Sequence, residues 1–318
     1  MMSGVEHLSE RAPRAVGRRI GYDGLPAFVR EWVDARFGPV TVLRDHAGGM
    51  SPGCATSLAT ADGRAVFVKA VGAELNEQTL GLFRRELELL RRLPPAPYRP
   101  ALLGALDLRG WVAVALEQIT GRYPDLGSDA DFDAVARVVV AQVAELTPPP
   151  SGVNATTLAE TAERWAARWE HLRQRPDRLL PGWAAARFDE LARRVRALPG
   201  QLPAAALCHF DVRDDNLLVR ADGTAVVLDW GMARFGPAWT DLVLLAAQKP
   251  TAVEAQRCLE RWVPTDQRDA VTSFLVAFGG SQAFNAAQPA RPSLPTFAAF
   301  CREDMRRLLA IARLRLNT

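Results

Sequence analysis

Leu207-Cys208-His209-Phe210-Asp211-Val212-Arg213-Asp214-Asp215-Asn216-Leu217-Leu218-Val219, continued by Val226-Val227-Leu228-Asp229-Trp230-Gly231, is the run around which the rest of the chain is organised. Two short apolar segments, residues 217–219 and 225–228, flank Arg220-Ala221-Asp222-Gly223, and Asp-Gly supplies the turn chemistry of a tight β-hairpin. Asn216 and Asp229 then lie at the open end of one hairpin, close together in space. An amide oxygen and a carboxylate converging there, with Asp211 upstream, suit a Mg2+ ion bound to nucleotide phosphates, and Asp211 would face an attacking hydroxyl. An ordinary hairpin with surface carboxylates is the simpler alternative, because Asp, Asn and Gly are common turn residues. Four such positions in order beside a histidine favour the chemical reading. Asp214, Asp215 and Asp222 read as solvated.

The order His-x-Asp-x-x-x-x-Asn, then Asp-x-Gly after a hairpin, resembles the protein-kinase set in which Asp takes the substrate proton while Asn and the second Asp hold metal. Trp230 stands where that set has Phe. With His209-Phe210-Asp211 and the later Trp239-Thr240-Asp241-Leu242, the chain looks most like the aminoglycoside phosphotransferase family of kinase-like small-molecule kinases, over about residues 42–245. That resemblance implies an α+β, protein-kinase-like two-lobe fold, with a five-stranded antiparallel N-lobe and a mainly helical C-lobe carrying the catalytic hairpin. It implies ATP, or GTP, with Mg2+ at Asn216 and Asp229, and a small hydroxylated acceptor activated by Asp211. His209 would hold the loop through its backbone, Asp241 would brace it unless it merely caps a helix, and Arg213 would either stabilise charge on the transferred phosphate or lie exposed.

Upstream, the strand at residues 65–70 carries Lys69. Lys69 and Lys249 are the only lysines among 39 basic residues, so a lysine here asks what a compact ammonium does that a guanidinium does not. The helix expected over residues 74–93 presents Leu80, Phe83, Leu87, Leu90 and Leu93 on one face. At about 100° per residue Glu86 falls inside that stripe, whereas Glu77, Arg84, Glu88, Arg91 and Arg92 fall outside it. A buried carboxylate needs a partner, and Lys69 is the natural one. In kinase-like folds such a pair orients the lysine on the α- and β-phosphates.

The turn Ala47-Gly48-Gly49-Met50-Ser51-Pro52-Gly53 precedes the strand at residues 54–61. Its glycines would let backbone N–H groups approach phosphate, which makes Gly49, Ser51 and Gly53 candidate phosphate contacts. It lacks the Gly-x-Gly-x-x-Gly pattern of protein kinases. Strands at residues 101–108 and 111–119 complete the sheet, and Leu116 to Gly121 resembles the family's interlobe hinge, with Glu117 offering a carbonyl and Ile119 an amide to adenine. Residues 1–22 read as disordered, 23–119 as the nucleotide-binding lobe and 120–318 as the catalytic and acceptor lobe. An amphipathic helix at residues 25–37 packs on the first lobe. The second lobe carries helices at residues 131–146, 157–173, 183–198, 252–262, 267–278 and 294–316. Trp165, Trp169 and Trp183 lie in the acceptor region by resemblance, and helix-packing core is the commoner role for such residues.

Composition bounds the remainder. With 318 residues, 48% apolar and 24% charged, the chain is an ordinary globular one, and a net charge of +3 spread along it gives no nucleic-acid footprint. Cys54, Cys208, Cys258 and Cys301 are far apart, fitting reduced thiols and a cytoplasmic setting. No apolar run of about 18 residues suggests a membrane span. Oligomeric state is open between monomer and dimer. No Gly-x-Ser-x-Gly elbow supports acyl transfer. Only nine residues separate Gly231 from Asp241, too few for a peptide-holding activation segment. Residues 121–200 carry eleven acidic residues against eleven arginines, and 251–318 carry six against nine. A polycationic acceptor should meet surplus carboxylate, so the count predicts an acceptor of low to moderate positive charge unless Asp125, Asp129, Asp131 and Asp133 converge.

Overall fold

In the strand at Ala65–Gly72 the side chains alternate between two helices, and this alternation positions Lys69. The computed structural model describes residues 16–317. Its first lobe is a five-stranded antiparallel sheet of order β1-β2-β3-β5-β4, formed by β1 (Val40–Asp45), β2 (Cys54–Thr60), β3 (Ala65–Gly72), β4 (Leu102–Leu108) and β5 (Trp111–Glu117). Val66, Val68 and Ala70 of β3, with Ala113 and Ala115 of β5, bury against Val29 and Val33 of α1 (Ala27–Phe37). Val71, Val112, Val114 and Leu116 point the other way, onto Leu80, Phe83 and Leu87 of α2 (Ala73–Leu90). Lys69 shares the parity of Val71, so the pleat delivers it to the α2 side.

The expected helix over residues 74–93 is broken. Asn76 has non-helical dihedrals (φ −172°, ψ 109°), and its side-chain oxygen accepts the Thr79 N–H at 2.8 Å. Asn thereby caps the longer, second segment, which competes with continuing the helix through residue 76.

The second lobe is helical: α3 (Asp129–Glu145), α4 (Leu158–Leu172), α5 (Pro176–Leu179), α6 (Gly182–Ala186), α7 (Phe188–Ala197), α8 (Thr240–Ala246), α9 (Ala252–Trp262), α10 (Arg268–Ala286) and α11 (Phe297–Leu316). The single helix expected at residues 183–198 is α6 and α7, separated at Arg187. Helix α10 runs eight residues beyond its expected end at residue 278. Trp165 and Trp169 are 4% and 1% exposed within one large apolar cluster, which makes them core. Into this lobe are set two small ribbons, β6 (Ala206–Cys208) with β9 (Arg234–Gly236), and the hairpin β7 (Leu217–Val219) with β8 (Ala225–Val227).

Residues 16–22 were expected to be disordered and are not. Gly17 N–H donates to Gly49 O (2.9 Å), Gly53 N–H to Arg18 O (3.1 Å) and Ile20 N–H to Gly53 O (3.1 Å), so this segment lies along the glycine-rich turn. Arg18 N–H also donates to Ser293 O (3.0 Å) and Val16 N–H to Thr296 Oγ1 (2.7 Å), joining it to the second lobe. Residues 1–15 lie outside the described residues. Among the described residues no helix is long and apolar enough to cross a membrane, and Cys54, Cys208, Cys258 and Cys301 are all free thiols.

Candidate active site

The loop between β6 and β7 is held by a buried carboxylate. Phe210 adopts a left-handed conformation (φ 63°), which is unfavourable for a residue with a bulky side chain and persists only where the surroundings impose it. Asp241, fully buried at the start of α8, accepts the N–H of His209 (2.7 Å) and of Phe210 (2.8 Å). Its oxygens face the loop and the N-cap of α8 is Trp239, so Asp241 braces the loop and does not cap the helix. Burial pushes its pKa up, opposed by the His209 ring and those two amides.

His209 is fully buried. Its Nε2 lies 2.8 Å from Leu228 O and must donate, while Nδ1 accepts the Asp211 N–H at 3.3 Å. Both contacts are met by the neutral Nε2–H tautomer, and burial lowers the ring pKa in the same sense. The imidazole thus ties the Asp211 backbone to the residue before Asp229, with no ring nitrogen left over for a reactant.

The hairpin brings Asn216 and Asp229 together as its turn chemistry predicts. Asn216 Nδ2 donates to both Oδ2 (2.8 Å) and O (3.0 Å) of Asp211, which aims the amide oxygen away from them. Asp229, also left-handed (φ 60°), keeps a side chain 36% exposed. One carboxylate and one amide oxygen make an incomplete ligand set by themselves, which fits a Mg2+ ion that takes its other oxygens from phosphate and water. No group of three or more His, Cys, Asp or Glu among the described residues forms a self-sufficient metal site.

Lys69 is ion-paired with Glu86 and lies 3.2 Å from Asp229 Oδ1. Burial acts to lower its pKa, but Asp229 and Glu86 together outweigh that and hold it above the ordinary lysine value. Glu86 is 1% exposed, and desolvation raises its carboxyl to about 6 despite the lysine. Burial likewise opposes ionisation of Asp229, but Lys69 overcomes it and leaves that carboxyl below its ordinary range. Trp230 N–H reaches Glu86 Oε1 at 3.4 Å, so the strand, the helix and the Asp-Trp-Gly segment meet at one carboxylate.

Arg213 is neither exposed nor single-purpose. Its side chain is 11% exposed, with Nε 3.0 Å from Asp215 and 3.4 Å from Asp211, and its guanidinium stacks on Phe300. Asp215, expected to be solvated, is the inward partner of this arginine. Asp222 is exposed in the turn, where it accepts the Thr224 N–H at 2.8 Å.

The glycine-rich turn lies over β2 and β3, but its two left-handed glycines have local reasons. A Cβ on Gly53 (φ 118°) would run into Ala70 O, and one on Gly49 (φ 92°) would meet the Arg19 guanidinium. Arg19 Nε donates to Gly48 O at 3.1 Å, and burial lowers its pKa against the pull of Asp229. Sequence reasoning did not find Arg19. It is one arginine among many, in a stretch without periodicity, and only its register against Gly53 brings it to the site. Ser51 sits in the same turn, half-buried. At the lobe junction, Glu117 ends β5 and its carboxylate accepts Arg220 Nη2 (3.0 Å) from the hairpin turn, while Ile119 is 6% exposed.

A lysine-bearing antiparallel sheet over a helical lobe, with an acidic loop and a hairpin that brings Asn216 and Asp229 to the junction, is the arrangement of a kinase-like small-molecule phosphotransferase. The chain belongs to the phosphotransferase enzyme (APH) family, whose model matches residues 55–273. No curated protein matches it by sequence. Among solved structures, an aminoglycoside phosphotransferase from Alicyclobacillus acidocaldarius is 15% identical, with 92% of this chain and 96% of that one covered at a TM-score of 0.56. The choline kinase LicA from Streptococcus pneumoniae is 14% identical (89% and 98% covered, TM-score 0.59). The macrolide 2'-phosphotransferase MphH from Brachybacterium faecium is 16% identical (88% and 97% covered, TM-score 0.54). At these identities the likeness is one of fold.

Proposed function

We propose that the protein transfers the γ-phosphoryl group of ATP to a hydroxyl of a small molecule. The observation that carries this reading is the convergence of Asp211, Asn216, Asp229 and the Lys69–Glu86 pair, from four separate elements, through a chain of direct contacts. Asp211 orients the acceptor hydroxyl and takes its proton as the new O–P bond forms and the bond to the β-phosphate oxygen breaks, leaving ADP. Lys69, held by Glu86, binds the α- and β-phosphates. Asn216 and Asp229 would hold Mg2+, which supplies charge screening for the phosphates. Gly49, Ser51 and Gly53 cover the phosphates, and the backbone at Glu117 and Ile119 takes the adenine. His209 and Asp241 position the loop, and Arg213 sets the Asp211 carboxylate between two partners. Catalysis is then positioning and electrostatics in a preorganised site.

A metabolic kinase of choline, sugar or amino-acid type and an antibiotic-modifying enzyme share all of this and differ in the acceptor pocket. A nucleotide-binding protein without turnover is disfavoured, because Asp211, Asn216 and Asp229 are all present. Screening purified protein for ADP release with Mg-ATP and with Mg-GTP against aminoglycosides, macrolides, choline, sugars and hydroxy amino acids tests the reading. Turnover that needs Asp211 supports it. Nucleotide binding without transfer to any acceptor would favour the non-catalytic alternative.

A further inference from the structure

Several arginines of the second lobe are paired with carboxylates. Arg122 pairs with Asp131, Arg173 with Glu170 and Asp189, Arg187 with Glu190, and Arg261 with Asp133. Lys249 takes Asp129. The carboxylates at 129, 131 and 133 that could have formed a cation-binding cluster are therefore each committed to a cation of the chain.

Five further arginines form a group that reaches Phe210, the neighbour of Asp211. Arg85 on α2 donates to Gly231 O (3.4 Å), Arg234 on β9 to Met232 O and Ala233 O (2.9 and 2.8 Å), Arg164 on α4 to Thr161 Oγ1 (3.0 Å) and Arg168 to Ser281 Oγ (2.7 Å). Arg291 lies over the Phe297 ring at 4.8 Å. Among the described residues none of the five forms an ion pair with a carboxylate, and the Nε of Arg234 is buried with no hydrogen-bond partner at all. Arg85 and Arg234 both reach the backbone of residues 231–233, and Arg164 and Arg168 lie one turn apart on α4. Burial lowers the Arg234 pKa to about 10, with Arg85 and Arg164 adding to the effect, and the Arg168 pKa is lowered by burial with Arg164 and Arg291 adding to it.

One member of the group adjoins the Asp211 loop. Arg234 stacks on Phe210, the neighbour of Asp211, at 5.8 Å, and Phe210 stacks in turn on Trp165 (6.2 Å), which stacks on Phe278 (5.1 Å). Arg168 is held over Phe284 at 5.7 Å. The nearby carboxylates Asp211, Asp215 and Asp304 all act on Arg213. Guanidinium groups set against aromatic faces, with donors unspent and like charges held together, are an anion-binding surface awaiting its counter-charge.

We propose that this wall is the acceptor subsite, and that the acceptor carries, besides its hydroxyl, at least one carboxylate or phosphate group bound by Arg234, Arg168 and their neighbours. The inference rests on the phosphotransferase reading and sharpens it: whole-lobe charge counting pointed to a weakly cationic acceptor, whereas the local disposition of charge points to an anionic one.

The test uses matched acceptors with the full-length protein and Mg-ATP: glycerol, glycerate and glycerol-3-phosphate; glucose, gluconate and glucose-1-phosphate; and choline and kanamycin as cations. Transfer to an anionic member at least tenfold faster in kcat/KM than to its neutral partner, with Arg164→Gln and Arg234→Gln each raising the acceptor KM about tenfold and leaving the KM for ATP unchanged, is the expected result. Preference for the neutral or cationic members overturns the proposal, and loss of that turnover in Asp211→Asn shows in the same experiment that the phosphotransferase reading survives. If no compound turns over, melting shifts with tartrate and with spermine, measured with the nucleotide site saturated by a non-hydrolysable ATP analogue and Mg2+, decide the matter. Stabilisation by tartrate that Arg234→Gln and Arg164→Gln abolish supports the wall as an anion site, and stabilisation by spermine alone, by neither ligand, or by tartrate undiminished in the variants overturns it.

Discussion

Lys69 shows how much one side chain can report. Its rarity in an arginine-rich chain and its strand parity were both legible, and so was Glu86 as the one carboxylate inside an apolar stripe; the pair meets in the structure. What no sequence pattern gives is the third member, Asp229, because its reach to Lys69 spans 160 positions. We expect Lys69→Arg to raise the KM for ATP at least tenfold although charge is kept, since a planar fork does not fit between Glu86, Asp229 and two phosphates. A near-normal KM would remove the ammonium from phosphate binding. The same trio sets a pH dependence. Glu86 titrates at about 6, above the ordinary value, so above that pH it is ionised and fixes Lys69, and as pH falls through it the carboxylate gains a proton and the lysine loses its anchor. Calorimetric Mg-ATP affinity should therefore weaken below about pH 6, and Glu86→Gln should be weak throughout and flat across that range. An unchanged profile in the variant would place the titration elsewhere.

At the scale of elements, the hairpin was legible because Asp-Gly turns and period-two runs are local properties. The segmentation of the helices was less so. Asn76 breaks α2 by capping it from within, a local hydrogen-bonding alternative, and the backbone leaves helical geometry at Arg187 (φ −111°, ψ 23°) between α6 and α7; periodicity resolves neither. Asp241 had two readings in the sequence, brace or cap, and only the placement of α8 behind the loop chooses between them. Because its two oxygens satisfy two buried amides, one of them on left-handed Phe210, Asp241→Ala should lower the unfolding free energy by about 2–6 kcal/mol, from about 1–3 kcal/mol for each amide left unpaired. Denaturant unfolding measures this directly, and a loss within about 0.5 kcal/mol, the range of a neutral surface change, would mean that the loop holds itself.

At the scale of the molecule, two lobes and their strand count follow from the order of elements, whereas the tie between lobes does not. Residues 16–20 carry no periodic signal, yet they lie along the glycine-rich turn and bond to residues 293 and 296 of the second lobe, with Asn76 Nδ2 adding a contact to Ser293 Oγ at 3.3 Å. The bonds of residues 17–20 to the turn and of Arg18 to Ser293 O are made by backbone register, which leaves no mark on side-chain identity. Arg19→Ala should loosen the turn and raise the KM for ATP several-fold with little change in kcat, and steady-state kinetics with equal losses in both would instead place Arg19 in the chemical step. The account as a whole stands on Asp211 as the base that receives the acceptor proton. Its most direct test is the initial rate of phosphoryl transfer from saturating Mg-ATP in the wild type and in Asp211→Asn, with nucleotide affinity measured on the same preparations. The account predicts a loss of about 10²–10⁴ in rate at unchanged Mg-ATP affinity, and a variant that turns over within tenfold of the wild type would contradict it.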